Sequence, residues 1–177
     1  NGATERIEAY ILGKKNGDFI RYFEDGSVKE SQHFTNNELN GLVESYDQNK
    51  KLILQVTYTL VEIDGNLKGV KHGIERSWKD GVLVHQTQYE NGLEQGDRLS
   101  YHPNGQLATI NRMKNGKLEG RTEEYYPSGV LKAERNYETV PYGSSEKVIQ
   151  KGWAKNYDEQ GKLVSSYYRN SADEILF

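Results

Sequence analysis

Hydrophobic positions along this chain recur on a fixed ruler. Five residues after Gly17, Gly41, Gly73, Gly96, Gly120 and Gly152 stand Tyr22, Tyr46, Trp78, Tyr101, Tyr125 and Tyr157, aromatic in every case. Nine residues after those glycines comes a second one: Gly26, Gly105, Gly129 and Gly161, with Gly81 one place early and Lys50 an exception. An aliphatic follows two places on (Val28, Leu52, Leu83, Leu107, Leu131, Leu163). Near offset seventeen a second aromatic column runs through Phe34, Tyr58, Tyr89, Tyr137 and Tyr168, with Met113 substituting once. Such self-similarity is the mark of a repeat architecture. It divides a single repeat domain, 1–177, into a partial leading repeat at 1–16 and repeats at 17–40, 41–72, 73–95, 96–119, 120–151 and 152–177.

Each unit reads as a β-hairpin. Asp25-Gly26, Asp80-Gly81, Asn104-Gly105 and Ser128-Gly129 are tight-turn signals between two strand-length runs. Pro103 and Pro127 precede two of those turns, where a fixed φ helps and no ladder N–H is lost. Helix signals are absent. The expected fold is all-β, a single-layer antiparallel sheet solenoid of six consecutive hairpins stabilised by nearest-neighbour cross-strand pairs. Residues two apart share a face. If each turn keeps register, offsets five, eleven and seventeen fall on one face and build continuous aromatic and aliphatic ladders.

Two repeats carry an inter-repeat connection eight residues longer than the rest, at Thr59–His72 and Glu138–Lys151. Both fall at the same point of the unit, so both are expected to leave the same edge of the sheet, about 29 Å apart at six strand spacings. Insertions in repeat arrays often map to a binding face, although a plain lengthened hairpin is an equal alternative. Their charged and aromatic residues, Glu62, Asp64 and Lys68 in one and Tyr142, Glu146 and Lys147 in the other, are therefore candidate partner contacts. Aromatics that the ruler does not require join them: Tyr126, Trp153, Tyr167, Phe19 and Phe23. Aromatics on the ruler are assigned to holding the sheet together.

Composition narrows the field. Hydrophobic residues make up 34% and aromatics 11% of the 177, net charge is −3, and mean hydropathy is −0.88. A thick core is excluded, but the aromatic content and low net charge separate the chain from disordered sequences. No apolar run approaches the ~20 residues of a membrane helix. A pI near 5.9 argues against a dedicated nucleic-acid binder. Arg98, Arg112, Arg121 and Arg135 cluster, but Glu119, Glu123, Glu124 and Glu134 interleave with them and read as a solvated mixed-charge face. Zero Cys removes disulfides, thiolate metal sites and Cys nucleophiles together. His33, His72, His85 and His102 are scattered, no Gly-x-Ser-x-Gly elbow occurs, and Glu123-Glu124 point to opposite faces of a strand. The reading is non-catalytic, with no metal and no cofactor.

Gly96 to Leu107, with Tyr101-His102-Pro103-Asn104-Gly105 at its centre, and Gly116 to Tyr126 resemble MORN repeats, closest to the bacterial variant type. The resemblance runs from about Tyr10 to Tyr168. It implies an antitoxin or immunity protein whose partner is a cognate protein toxin or effector, with a lipase-type effector delivered by type VI secretion as the expected kind. A periplasmic or cell-envelope location follows from that reading, with the cytoplasm as the other option. The chain opens on Asn1 rather than Met, so a trimmed start is expected. A structural scaffold and, third, a phospholipid head-group binder are the alternative functions. Sheet edges at Asn1–Tyr10 and Ser165–Phe177 could pair with another copy, and Ile175, Leu176 and Phe177 could fold back as a cap. The sequence leaves the oligomeric state open.

Overall fold

Short runs rich in β-branched and aromatic residues, each closed by a residue that tolerates positive φ, leave the chain one regular option. A computed structural model describes residues 5–170 and the backbone of 175–176. Among these it is all-β, with eighteen strands, no helix, and antiparallel pairing throughout the registers described. The repeats fall into two compact units, Asn1–Leu83 with Gln88–Gly92, and Val84–Thr87 with Leu93–Phe177.

The units are copies of one design. Gly17, Gly41 and Gly73 recur as Gly96, Gly120 and Gly152, each a step of 79 residues. Pairings recur with the same step: Gly17↔Phe34 as Gly96↔Met113, Gly41↔Tyr58 as Gly120↔Tyr137, and Tyr58↔Lys71 as Tyr137↔Gln150. Even single junction bonds repeat. The His72 N–H donates to the Thr57 carbonyl and the Lys151 N–H to the Asn136 carbonyl, both at 2.9 Å.

Two kinds of turn explain the irregular glycines of the ruler. At Glu24–Gly26 the Gly26 N–H donates to the Phe23 carbonyl at 2.9 Å and the Phe23 N–H to the Ser27 carbonyl at 2.8 Å. This is a three-residue loop with its last residue left-handed, not the two-residue turn expected from Asp25-Gly26. The loops ending at Gly105, Gly129 and Gly161 repeat it. Lys50 does too: it takes φ 63°, and its N–H donates to the Asp47 carbonyl at 3.0 Å, so the sequence exception is no exception in the backbone. Asp80-Gly81, by contrast, has positive φ at both residues, 53° and 83°. That loop is one residue shorter, which is why Gly81 comes one place early.

The register overturns the expected ladders. Gly41 pairs with Tyr58, Val43 with Val56 and Ser45 with Leu54, and then Tyr46 pairs with Leu52 across a bulge at Ile53. Tyr58 therefore shares its face with Val43 and Val56. Tyr46 lies on the opposite face, its hydroxyl donating to Glu44 at 2.9 Å while Gln55 donates to the same carboxylate at 2.9 Å. In the second unit Tyr137 and Tyr157 divide the same way, the Tyr157 hydroxyl donating to Glu134 at 3.0 Å. One extra residue in each of these hairpins reverses the parity, so Phe34, Tyr58, Met113 and Tyr137 face the side opposite to Tyr22, Tyr46, Tyr101 and Tyr125. Tyr168, one place short of the ruler, pairs with Trp153 and stays on the side of Tyr157.

One face is mostly covered and the other mostly open, with Ile149, opposite Glu138, the buried residue of the open side at the second long hairpin. In the first unit the covered face holds Phe19, Phe34, Val43 and Val56, and in the second Met113, Ala133 and Ala154. Long side chains take the place of a second layer. Lys15 Nζ stands 5.0 Å and 4.7 Å from the ring centres of Phe19 and Phe34, and Tyr10 meets Phe19 edge-on at 5.4 Å.

Both long connections are lengthened hairpins. Leu52–Ile63 pairs with Asn66–Lys71, and Leu131–Tyr142 with Ser145–Gln150. Each packs on the corner of its preceding repeat, but by different contacts. The Gly69 N–H donates to Glu38 at 3.0 Å, and a Cβ at Gly69 would overlap the Leu39 carbonyl oxygen outright. In the second unit the Thr139 N–H donates to Glu119 at 2.9 Å and Lys117 pairs with Glu146. At the C-terminal edge the backbone of Ile175–Leu176 pairs with Tyr168–Arg169. Phe177, the side chains of the expected cap, and residues 1–4 of the expected N-terminal edge lie outside the described residues.

Candidate binding surface

On the open face, the first residue after each repeat glycine is exposed in every repeat: Asp18, Leu42, Ile74, Asp97, Arg121 and Trp153. A glycine at positive φ precedes each of them. In the second unit these positions and their cross-strand partners form a row, Asp97 opposite Arg112, Arg121 opposite Asn136, Trp153 opposite Tyr168. Lys151 joins it through its backbone bond to Asn136.

The charges in this row are layered. Glu123 and Glu134 lie beneath, with side chains 11% and 15% exposed. Arg121, 52% exposed, bridges them at 2.7 Å and 2.8 Å, and Lys155 reaches Glu134 at 3.1 Å. Arg112 donates to the Arg121 carbonyl at 2.7 Å and stands 3.9 Å from Glu123. Lys151 is held by Glu138 at 2.8 Å. Burial pushes the Glu134 carboxyl up, but hydrogen bonds from Lys155 and Tyr157 and the Arg121 charge outweigh it and hold the group below its ordinary value. Burial likewise raises the Tyr125 phenol, with the Glu123 charge adding to it. A shallow groove of about 330 Å³ opens here, lined by Arg121, Glu134, Asn136, Lys151 and Trp153 among others. Trp153 is 56% exposed and meets Tyr168 edge-on at 5.7 Å.

Of the residues singled out from the sequence, Trp153 alone stands in this groove. Tyr142 is exposed at the tip of the second long hairpin, with Lys147 5.9 Å from its ring centre. Glu146 of the same hairpin is tied to Lys117. Glu62 and Asp64 are exposed near the tip of the first long hairpin, where Asp64 takes φ 50° and its carbonyl accepts from Asn66 at 3.0 Å. Lys68 pairs with Glu38 at 3.2 Å. Tyr126 is half-buried and joins successive repeats, its hydroxyl donating to the Tyr157 carbonyl at 2.9 Å. Tyr167 pairs with Ala154, which puts it on the covered face. Burial raises its phenol, but contacts with Gln150, Arg135 and Arg169 outweigh that and lower it. Phe23 is half-buried at a turn under Lys29. Phe19 is corrected outright: at 8% exposure, packed on Phe34 and Tyr10, it is core.

Sequence reasoning passed over Arg112 and Arg121 because interleaved glutamates read as neutralising, and it used Lys151 only as the end of a long connection. The four clustered arginines in fact divide. Arg98 and Arg135 lie on the covered face by register, Arg112 and Arg121 on the open one. The available signal was the position itself, first after the repeat glycine.

Among the described residues no group of three or more His, Cys, Asp or Glu could hold a metal ion, and no helix is long and apolar enough to cross a membrane. The MORN repeat variant matches the chain at residues 15–36, 39–59, 94–117 and 118–139, together about half its length. The matched segments repeat with the same step as the two units. No curated protein matches the chain.

Proposed function

Because the chain belongs to the MORN repeat variant family, whose repeats are binding modules for proteins and membranes and not a known enzyme family, we propose that it is a protein-binding module acting as an immunity protein. In this reading it neutralises a secreted bacterial toxin, of phospholipase type, by covering the active site or substrate entry. It does so in the periplasm. The observation that carries protein binding is the exposed row of Arg121 and Trp153 on carboxylates held beneath, since Arg and Trp are the residue types that dominate protein-binding hot spots. The hairpin tips with Glu62, Asp64, Tyr142 and Lys147 extend the contact surface, and charged rims of this kind tune encounter and partner choice.

Affinity capture from the source bacterium tests the reading. It predicts one stoichiometric secreted enzyme whose purified activity falls when this chain is added. Recovery of envelope components or lipid alone, with no enzyme inhibited, would replace it with the scaffold function. Deleting Val61–Val70 or Val140–Ile149 is expected to weaken capture while the remaining hairpins fold. Normal capture by both deletions would confine the contact to the sheet face.

A further inference from the structure

We propose that the open face of the second unit recognises an acidic segment of the partner that also carries an apolar or aromatic side chain. The inference rests on the protein-binding reading above and names the chemistry of what binds. Three observations support it.

The first is the vertical order of the charges. Glu123 and Glu134 are 11% and 15% exposed, whereas Arg121, Arg112 and Lys155 are 52%, 43% and 40% exposed. A partner meeting the row between Arg121 and Trp153 therefore meets cations first, although each has a carboxylate within 4 Å, and Asp97, opposite Arg112, is an exposed acid at the far end. The lower carboxylates fix the guanidinium and ammonium groups in place, so little side-chain freedom remains to be lost on binding. The second is the groove. Arg121 and Lys151 stand beside Trp153, whose ring is held edge-on against Tyr168, so an apolar or aromatic side chain can lie against the indole while its neighbours reach the cations. From the strand of Arg112 to that of Trp153 is three strand spacings, about 14 Å, the reach of roughly four extended residues.

The third is the first unit, which serves as an internal comparison. One 79-residue step earlier, Arg112, Arg121, Lys151 and Trp153 are replaced by His33, Leu42, His72 and Ile74, and Glu134 by Gln55. The backbone bonds are conserved. Glu123 and Lys155 keep their charge as Glu44 and Arg76, so the architecture does not require Arg112, Arg121, Lys151 or Trp153. A membrane surface is the weaker fit: binding anionic lipid takes clusters of about four to eight basic residues, each worth ~1 kcal/mol near the surface, and Arg112, Arg121, Lys151 and Lys155 reach only the bottom of that range.

The test selects binders from a random linear peptide display library on the purified chain, in parallel with vesicles of phosphatidylglycerol and phosphatidylcholine. Asp- and Glu-rich peptides carrying an aromatic or aliphatic residue are expected. Lys151→Glu and Trp153→Ser should each weaken them about tenfold, and Leu42→Ser, on the equivalent row of the first unit, should leave them unchanged. Arg121→Ala leaves two carboxylates without their bridge and can unfold the site, so the outcome is judged on the two exposed variants, with thermal unfolding as the folding control. Selection of basic or neutral peptides, no selection, or vesicle binding lost in the same two variants would overturn the inference. If an inhibited toxin is captured equally by Trp153→Ser and Lys151→Glu, the immunity reading stands and this inference fails. If acidic peptides bind here but no toxin is captured, the inference stands and the immunity reading fails.

Discussion

Gly69→Ala probes the contact that fastens the first long hairpin. Gly69 sits in a strand, so its conformation does not call for glycine; the space does. A Cβ there would lie 2.9 Å from the Leu39 nitrogen and overlap the Leu39 carbonyl oxygen. Both opposing atoms are backbone, held by the Phe34↔Leu39 pairing, and neither can swing aside as a side chain would. Overpacking of this kind costs about 1–3 kcal/mol, and rigid opposing atoms place Gly69→Ala at the upper end. For a chain of this size that lowers Tm by roughly 5–10 °C. The displaced hairpin also withdraws the Gly69 N–H from Glu38. That bond is the main reason the Glu38 carboxyl lies below its ordinary value, with Lys68 adding to it. Thermal unfolding reads the first effect, and an NMR titration of Glu38, expected to move upward, reads the second. Gly65→Ala is the control. Nothing lies within 4 Å of a Cβ there, but φ is +72°, so only strain of about 1–2 kcal/mol is expected and Glu38 should not move. A Gly69→Ala protein within about 0.5 kcal/mol of the parent, with Glu38 unshifted, would refute the close approach.

Three further outcomes follow from the same geometry. Lys50→Gly should stabilise by about 0.5–1 kcal/mol in urea unfolding, because a side chain at φ 63° is strained and the exposed pair with Asp25 at 3.4 Å is worth little. Phe19→Ala should cost about 3 kcal/mol, and hydrogen exchange should locate the loss within the first unit, because stability in repeat arrays is passed between neighbours. Acidification should loosen the second unit. Glu134 is depressed in the folded chain, so its contribution is complete above the unfolded value of about 4.3 and is lost as pH falls through the lower folded value. Glu134→Gln should flatten that part of the acid unfolding curve, and an unchanged curve would remove Glu134 from the network.

The ruler of glycines was legible because backbone geometry demands them: Gly17, Gly41, Gly73, Gly96, Gly120 and Gly152 all take positive φ. The faces were not. Counting from Gly41 to Tyr46 and on to Tyr58 assumes no extra residue, and the bulge at Ile53 inserts one with no side-chain signature of its own. Lys50 hid a conserved turn behind an unusual residue, while Gly81 marked a real change of loop length. Trp153 could be singled out because the ruler did not need it. Arg121 could not, since only the structure shows that Glu123 and Glu134 lie under it.

The step that relates Gly17 to Gly96, Gly41 to Gly120 and Gly73 to Gly152 gives the sequence a period, and a periodic sequence can be cut in phase. Removing residues 41–119 would join Asn40 to Gly120, and the strand leaving the junction would find Ser31 and Glu30 where Ile110 and Thr109 had stood. Lengthening by the same step is equally in phase. Gene duplication can therefore vary the length of such a chain without inventing a new junction, and each added copy is released to drift in the side chains of its open face while the hydrogen-bonded frame stays as it was.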